Sequence, residues 1–304
     1  MVILIILILI ILLSSYLAYR RAFYHSPKRK ENIFSVPNSP QYSAGRDNML
    51  GLIKDFDALP FEQVYITSFD GLRLAARYYH AADGAPLQIE FHGYKGTAIR
   101  DFCGGNKLAR NLGQNTLVVD QRAHGKSEGK TICFGIKEKY DCLSWINYAL
   151  ERFGDIPIVL LGVSMGGATV LMASGLELPE NVKCIVADCP YSSPEEIIRK
   201  ECAKTGIPPF IGMPLIRLGA LLFGNLRISG GAEEAVKNTK VPILILHGEA
   251  DDFVPCDMSR KIKAANPKMV TLETFPDAAH GFSYILHTER YENKTKEFFK
   301  KVGL

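Results

Sequence analysis

The pattern of apolar and polar positions divides the chain into an apolar start and a long body of short alternating segments. Residues 1–19 carry no charged side chain, and residues 2–13 are an unbroken run of Val, Ile and Leu. A helix of this length rises about 28 Å, close to the thickness of the hydrocarbon core of a bilayer. The pattern predicts a membrane-spanning helix at residues 1–19.

The residues after this start favour an uncleaved anchor over a signal peptide. A cleaved signal usually has a basic beginning and a small-residue cleavage site. Here the beginning is uncharged and five basic residues follow it: Arg20, Arg21, Lys28, Arg29 and Lys30. Residues 31–304 are nearly neutral, with 31 basic and 32 acidic side chains. The positive-inside rule therefore predicts a cytoplasmic location for the domain, and an outward-facing domain is the alternative.

The body of the chain alternates short apolar runs with segments of helical periodicity. The polar, proline-bearing residues 26–40 are interpreted as a linker, and apolar residues at helical spacing from 49 to 56 predict a short helix. The predicted strands are 62–68, 72–79, 87–91, 116–119, 157–161, 184–187, 242–246 and 269–275. The predicted helices of the body are 107–112, 139–153, 168–176, 259–265 and 290–302. This alternation predicts an α/β fold with a mostly parallel sheet and helices on both faces.

One long interval interrupts this alternation. About fifty residues separate Pro190 from Val241, too many for a simple crossover loop. Within them, residues 207–224 are almost entirely apolar and contain three prolines. We interpret residues 192–238, approximately, as an inserted helical lid; a buried core helix is the alternative. The predicted organisation is an anchor at 1–19, a basic linker with a short helix at 20–59, and a catalytic domain at 60–304.

A serine in a glycine-rich turn is the first candidate for chemistry. In the stretch VLLGVSMGG, Ser164 lies between a predicted strand and a predicted helix, flanked by Gly162 and Gly166. Such a turn exposes a nucleophile at the end of a sheet, whereas a solvated serine in an ordinary turn is the alternative. A serine also needs a base and an acid that orients the base.

The candidate partners follow two later strands. Asp251 comes after strand 242–246, and His280 comes after strand 269–275, so that the chain order is Ser, Asp, His. Asp252 is the alternative acid. The other six histidines are less suitable. His92, His124 and His247 lie in turns where they are expected to hold loops. His25 lies beside the predicted membrane segment, His80 at the end of a hairpin strand, and His287 in a predicted helix. In the turn of His124, Asp120 and Arg122 are expected to pair locally.

An oxyanion formed at Ser164 would need two backbone donors. The strand at residues 87–91 ends in His-Gly-Tyr-Lys-Gly, and we expect the amide of Tyr94 to join that of Met165 in an oxyanion hole. The phenol of Tyr94 is an alternative donor. Glu90, within this apolar strand, would need a buried partner or an exposed strand end.

Taken together, these motifs resemble the α/β-hydrolase superfamily, and specifically its serine-hydrolase branch. The blocks are HGY at 92–94, DQRAHGKSEG at 120–129, GVSMGG at 162–167, HGEADDFVP at 247–255 and HG at 280–281. The resemblance covers about residues 60–300. It implies an esterase, a lipase, a monoacylglycerol-lipase-like enzyme or a serine aminopeptidase.

We therefore expect a membrane-anchored serine hydrolase that cleaves apolar or acyl-lipid esters through an acyl-enzyme. No cofactor and no metal are expected, since the chain has no zinc-protease motif, no clustered Cys/His spacing and no phosphate-binding loop. The neutral body argues against nucleic acid as a partner. A serine aminopeptidase could use Glu195, Glu196 or Glu201 to bind an amine. An acyltransferase and a non-catalytic scaffold are two further hypotheses, and the oligomeric state stays open.

The anchor is expected to tether the domain near the membrane and so to deliver membrane-borne substrate to it. On that view residues 31–304 should fold alone and keep hydrolysing small soluble esters, while losing relative activity on membrane-embedded lipid.

Overall fold

Eight strands form one sheet, and each of them coincides with a segment predicted from the sequence. The computed structural model describes residues 1–26, 32–36 and 40–304, so the basic residues Lys28, Arg29 and Lys30 lie outside the described residues. The strands are β1 (Glu62–Thr67), β2 (Arg73–Tyr79), β3 (Leu87–Phe91), β4 (Asn115–Asp120), β5 (Ile158–Val163), β6 (Val182–Asp188), β7 (Ile243–Gly248) and β8 (Val270–Phe275). Their ends differ from the predicted ends by at most two residues.

The strand order across the sheet is β1-β2-β4-β3-β5-β6-β7-β8. The pairs β1–β2 and β2–β4 are antiparallel, and every other pair is parallel. The parallel strands read as continuous apolar runs because both of their faces are covered. Their carboxyl ends lie along one edge, where open α/β sheets bind their ligands.

Helices cover both faces of the sheet. The α-helices of the described chain are α1 (Val2–Ala22), α2 (Arg46–Asp57), α3 (Ala98–Asp101), α4 (Cys103–Asn111), α5 (Glu138–Phe153), α6 (Met165–Ala173), α7 (Pro194–Ala203), α8 (Pro209–Gly224), α9 (Ala232–Ala235), α10 (Cys256–Ala265), α11 (Ser283–Leu286) and α12 (Thr288–Lys301). On one face, α5, α6 and α10 bury Trp145, Val170 and Ile262 against the strands. On the other, α2, α3 and α12 bury Phe56, Phe102 and their neighbours.

The segment between β6 and β7 contains three helices, α7, α8 and α9, and the lid role expected of it stays a prediction. Helix α8 is capped by Asn225 in the left-handed conformation and packs on both α7 and α1. Its outer side is exposed, and its large apolar residues there are Phe210, Ile211, Leu221 and Leu222, whereas Phe223 faces Tyr16 and Tyr19 of α1. Helix α8 is therefore neither a core helix nor a fully solvated one.

Helix α1 is 21 residues long, with a mean hydropathy of 2.9 over its most apolar window, and is the one helix of the described chain long and apolar enough to span a membrane. It extends three residues beyond the predicted end of the anchor at residue 19. Residues 2–13 of this helix are exposed, whereas Ser15 and Tyr19 are buried against α8. Close contact is possible because Gly219 of α8 has no side chain: a Cβ there would overlap the carbonyl oxygen of Ser15.

Candidate active site

Ser164 lies at a sharp turn between β5 and α6. Its backbone adopts φ 55° and ψ −114°, a conformation that L-residues rarely adopt. The turn closes only because its neighbours are glycines: a Cβ on Gly166 would overlap the carbonyl oxygen of Phe91, and one on Gly162 would overlap that of Gly166. The amide of Ser164 donates to the carbonyl oxygen of Asp188 at 2.8 Å. The strained turn points the serine hydroxyl out of the edge of the sheet.

The structure brings together the three residues predicted from the sequence. The hydroxyl oxygen of Ser164 lies 2.9 Å from Nε2 of His280. Nδ1 of the same ring lies 2.6 Å from a carboxylate oxygen of Asp251. With the Nδ1 proton donated to Asp251, Nε2 can accept the serine proton, which is the geometry needed to activate a hydroxyl nucleophile.

Asp251, rather than Asp252, contacts His280. One oxygen of Asp251 also accepts hydrogen bonds from the amides of Phe253 and Val254, at 2.9 Å and 2.8 Å. Burial acts to raise the pKa of Asp251, but the hydrogen bonds from His247 and His280 outweigh it and hold that pKa well below its ordinary value. Asp251 is therefore ionised at any pH at which the protein would work.

The loop of residues 92–96, called the oxyanion loop below, lies beside Ser164. The loop passes close to the nucleophile, since a Cβ on Gly93 would lie 3.4 Å from that of Ser164. The amides on either side of Tyr94 are held in place: that of Gly93 donates to Asp101 at 2.8 Å, and that of Lys95 donates to Nε2 of His124 at 3.1 Å. Tyr94 lines the cavity at Ser164, and Met165 is the first residue of α6.

The phenol of Tyr94 points away from the serine. It donates to the carbonyl oxygen of Ala22 at 2.8 Å, and burial raises its pKa to about 12. This arrangement favours the backbone of Tyr94, rather than its phenol, as the donor expected in the sequence.

Three other histidines hold loops. His92 contacts the carbonyl of Gly93 and accepts from the amide of Gln121, and His247 contacts Ser259 and Val254. His124 accepts from Lys95, and burial lowers its pKa well below the ordinary value.

The expected local pair of Asp120 and Arg122 was wrong. Arg122 instead binds two distant carboxylates, Asp141 at 2.6 Å and Asp70 at 2.9 Å. Asp120 accepts from the amide of Lys126. A buried guanidinium needs several acceptors in its plane, and the carboxylates of α5 and the β1–β2 turn supply them.

A cavity of about 190 Å³ opens at Ser164 and extends between the sheet and α2, α4, α11 and α12. Its inner wall is mainly apolar and aromatic, with Met49, Phe102, Leu161, Tyr284 and Ile285 among its lining residues. A cavity of roughly 150 Å³ in another protein suffices for benzene. The enclosed part can hold a small aromatic or short acyl group. No residue of α7, α8 or α9 lines it in the described chain.

Asp188 is a site residue that the sequence analysis missed. It follows β6 at the same edge of the sheet as Ser164 and lines the cavity, and its carboxylate accepts from the phenol of Tyr291 at 3.0 Å. Burial raises its pKa to about 6. Its position directly after an apolar strand was the available signal, the same one that identified Asp251 and His280.

Glu90 has neither the partner nor the exposed strand end considered from the sequence. It is fully buried in β3, and among the described residues neither of its oxygens has a hydrogen-bond partner. Burial raises its pKa well above the ordinary value. Burial therefore favours the protonated, uncharged form of this side chain.

The three acids considered for binding an amine lie elsewhere. Glu195 pairs with Arg199 and Arg217, Glu196 with Lys261, and Glu201 with Lys204. None of the three lines the cavity.

A metal-ligating group of atoms coincides with the candidate triad. Among the described residues, Cys189, Asp251 and His280 have ligand atoms within 4.8 Å of one another. Asp251 and His280 are already bonded to each other, and burial raises the pKa of the Cys189 thiol well above its ordinary value. A metal ion held there would displace the hydrogen bond on which proton transfer depends.

The fold and the site together define an α/β hydrolase. A family model for the alpha/beta hydrolase fold matches residues 90–201, and one for the dienelactone hydrolase family matches residues 223–301. The first segment contains Ser164, and the second contains Asp251 and His280. The chain belongs to the α/β-hydrolase superfamily and is esterase-like.

Two curated relatives give the level of similarity. The chain is 26% identical over 201 residues to the uncharacterized protein YqkD of Bacillus subtilis, covering 64% of this chain and 65% of YqkD. It is 26% identical over 189 residues to the lysophosphatidylserine lipase ABHD12 of Rattus norvegicus, covering 60% of this chain and 45% of that lipase. The chain thus spans about half to two thirds of the length of these relatives.

Solved structures show the same fold. The esterase Pf2001 of Pyrococcus furiosus aligns with a TM-score of 0.68 and 21% identity, over 92% of this chain and 98% of that one. Est1E of Butyrivibrio proteoclasticus, solved with ferulic acid, aligns with a TM-score of 0.61 and 24% identity, over 78% and 98% of the two chains. At these identities the likeness concerns the fold alone.

Proposed function

We propose that the protein is a membrane-anchored serine hydrolase that cleaves carboxylic esters, with apolar or acyl-lipid esters as its substrates. The observation that carries this proposal is the continuous hydrogen-bonded series from the Ser164 hydroxyl through His280 to Asp251. Esterase and lipase relatives support the same reaction class.

In the first half of the reaction, the oxygen of Ser164 attacks the ester carbonyl carbon. His280 takes the serine proton at Nε2, while Asp251 stabilises the imidazolium through Nδ1. The carbonyl oxygen becomes an oxyanion that accepts from the amides of Tyr94 and Met165. The tetrahedral adduct then breaks its bond to the alcohol oxygen, which leaves with the proton from His280.

In the second half, water replaces the alcohol. His280 takes a proton from water as the water oxygen attacks the acyl carbon, and the same two amides hold the second oxyanion. Breakage of the bond to Ser164 releases the acid and returns the proton to the serine oxygen. An acyltransferase would differ only in using another alcohol at this step.

The cavity supports an acyl group or aromatic ring as the buried part of the substrate. Its wall is mainly apolar, and Asp188 and Tyr291 are the polar pair at its inner side. A long acyl chain exceeds the enclosed volume of about 190 Å³ and would have to extend through the opening.

Two features support an anchor that is retained. Full exposure of residues 1–13 contrasts with the burial of Ser15, Tyr19 and Phe23 within the fold. A signal peptidase that cut near Ala18 would remove part of this packed segment. The basic residues Arg20 and Arg21 at the end of α1 support a cytoplasmic domain.

The length of α1 also brings α8 to the membrane. The thirteen exposed residues at its start rise only about 20 Å, whereas a bilayer core is about 30 Å thick. For α1 to span, the part packed on α8 must also lie in the apolar layer. The exposed apolar side of α8 fits this position, and its one charged residue, Arg217, pairs with Glu195.

Chemical labelling tests the reaction. A fluorophosphonate probe is expected to label the wild-type chain at Ser164 and to leave Ser164→Ala unlabelled. A panel of p-nitrophenyl esters of increasing chain length, run beside aminoacyl amides, then defines the substrate. Labelling that persists in Ser164→Ala, or a preference for the amides, would reject the ester hydrolase.

The membrane arrangement has its own test. Phe210→Ser together with Leu222→Ser, on the exposed side of α8, should lower kcat/KM for a vesicle-borne ester by at least about tenfold and leave a soluble ester unchanged. Burial of each large apolar side chain is worth about 1.5–3 kcal/mol. Tyr65→Ser, an exposed position on β1, is the control. Equal losses on both substrates, or no loss on vesicles, would contradict this arrangement of α8. Protease protection of the domain in sealed membranes tests the cytoplasmic topology separately.

A further inference from the structure

The end of α1 is built into the body of the protein. Phe23 is completely buried, and its ring packs edge-on against Phe134 at 5.5 Å. The following residues run beside the chain at 130–132: the amide of Ile132 donates to the carbonyl of Phe23 at 2.8 Å, and the amide of His25 donates to that of Lys130 at 3.0 Å. Residues 19–25, called the helix end below, therefore behave as part of the hydrolase domain.

The helix end contacts the oxyanion loop directly. The phenol of Tyr94 donates to the carbonyl oxygen of Ala22 at 2.8 Å, and the amine of Lys95 donates to that of Arg21 at 3.2 Å. Both carbonyls belong to the last turn of α1, where carbonyl groups lack partners within the helix. The negative end of the helix dipole also favours the charge of Lys95. The last turn of α1 is thus stabilised by two side chains of the oxyanion loop.

A second route runs through two histidines. Nδ1 of His25 lies 2.6 Å from the carbonyl oxygen of Ala123, and its ring lies 4.8 Å from that of His124. Nε2 of His124 in turn accepts from the amide of Lys95. Ala123 and Lys95 have positive φ angles of 65° and 50°. Such conformations persist only where the surroundings hold them.

We propose that the helix end is a positioning element of the active site, which holds the backbone amide of Tyr94 where it can donate to the oxyanion. The helix end contacts the side chain of Tyr94 and that of Lys95, the next residue. Tyr94 and Lys95 are thus positioning residues through their side chains. This inference rests on the proposed function. It adds that the anchor contributes to the chemical step itself, in addition to any delivery of substrate.

The expected effect follows from how strictly an oxyanion donor must be placed. Complete loss of one donor costs about 10²–10³ in kcat, and a misplacement of about 1 Å can cost about 10². Tyr94→Phe removes the hydrogen bond to Ala22 but keeps the ring, which packs 5.2 Å from that of Phe134. We expect kcat to fall about tenfold, KM to change less than about twofold, and the pH profile to keep its shape, since the triad is untouched.

A double-mutant cycle on the full chain in detergent micelles tests the route. The substrate is p-nitrophenyl butyrate, which needs no membrane delivery, and the variants are Phe23→Ala, Tyr94→Phe and the double variant. If the helix end acts through Tyr94, the double variant loses no more kcat than the more damaged single variant. Tyr78→Phe is the control, since its phenol contacts His80 far from the site. The effects of Tyr78→Phe and Phe23→Ala on kcat should be independent, so that the variant with both changes shows the product of the two separate effects.

Folding is controlled by melting temperature, and Phe23→Leu replaces Phe23→Ala if the latter unfolds. Independent multiplication of the Phe23 and Tyr94 effects, or wild-type kcat in both single variants, overturns the positioning role while the proposed function stands. Absence of ester hydrolysis and of Ser164 labelling in the wild-type chain rejects the proposed function, and this inference with it.

Discussion

Replacing Asp251 by Asn tests which carboxylate orients His280. Asn keeps an oxygen that can accept from the amides of Phe253 and Val254, so the loop should retain its shape. Its neutral amide, however, no longer stabilises an imidazolium across the 2.6 Å contact with Nδ1. A ring that places its proton on Nε2 instead cannot accept the proton of Ser164.

The expected loss is large. The equivalent change in a serine protease lowers kcat by about 10⁴, which corresponds to about 5 kcal/mol of transition-state stabilisation. We expect a loss of about 10³–10⁴ for Asp251→Asn, with a melting temperature near that of the wild type. The adjacent Asp252→Asn is the matched control, and we expect it to retain kcat within about threefold, because its carboxylate is not the one bonded to His280.

The assay is hydrolysis of p-nitrophenyl butyrate from pH 5 to 9. Because the pKa of Asp251 lies well below its ordinary value, its titration should add no step to the wild-type profile in this range. A larger loss in Asp252→Asn than in Asp251→Asn, or more than a tenth of wild-type kcat in Asp251→Asn, would refute the assignment.

Two further predictions concern the sheet beneath the site. Glu90→Gln should stabilise the protein, relative to the wild type, increasingly as pH rises. Burial raises the pKa of Glu90 in the folded state, so folding of the wild type loses stability as pH rises above the ordinary carboxyl pKa. The loss is about 1.4 kcal/mol per pH unit while the folded form keeps its proton. Denaturant unfolding at pH 5 and pH 7 checks this, with the exposed Glu151→Gln as control, and a difference that does not grow with pH contradicts it. Gly166→Ala should abolish fluorophosphonate labelling, since the added Cβ overlaps the Phe91 carbonyl. Gly51→Ala, where a Cβ meets nothing within 4 Å, should label normally, and equal labelling of both variants would show that the turn tolerates a side chain.

Much of the fold could be predicted because its signals are local. A parallel strand buried on both faces is mostly apolar, and β5, IVLLGV, is such a run, ending in a glycine-containing turn. The turn at Ser164 requires small neighbours, which the sequence displays as Gly162 and Gly166. Residues placed directly after strands meet at one edge of the sheet, and this rule selected Asp251 and His280.

The partners of charged groups could not be predicted in the same way. Arg122 was expected to bind its neighbour Asp120, but the structure places it between Asp70 and Asp141, which are 52 and 19 residues away. Glu90 was expected to have a partner or an exposed position, and it has neither. Which groups meet in the interior depends on how the layers pack, and no periodicity in the chain records it.

The role of the N-terminal helix illustrates the same division. Its apolar sequence by itself predicted a helix long and apolar enough to span a membrane, because length and hydropathy are properties of consecutive residues. From sequence alone, residues 31–304 were expected to hydrolyse small esters unaided; the contacts of Ala22 and Arg21 with the oxyanion loop lead to the opposite prediction. Those contacts join residues more than 70 positions apart, so the proposal that this helix helps to form the active site could come only from the tertiary structure.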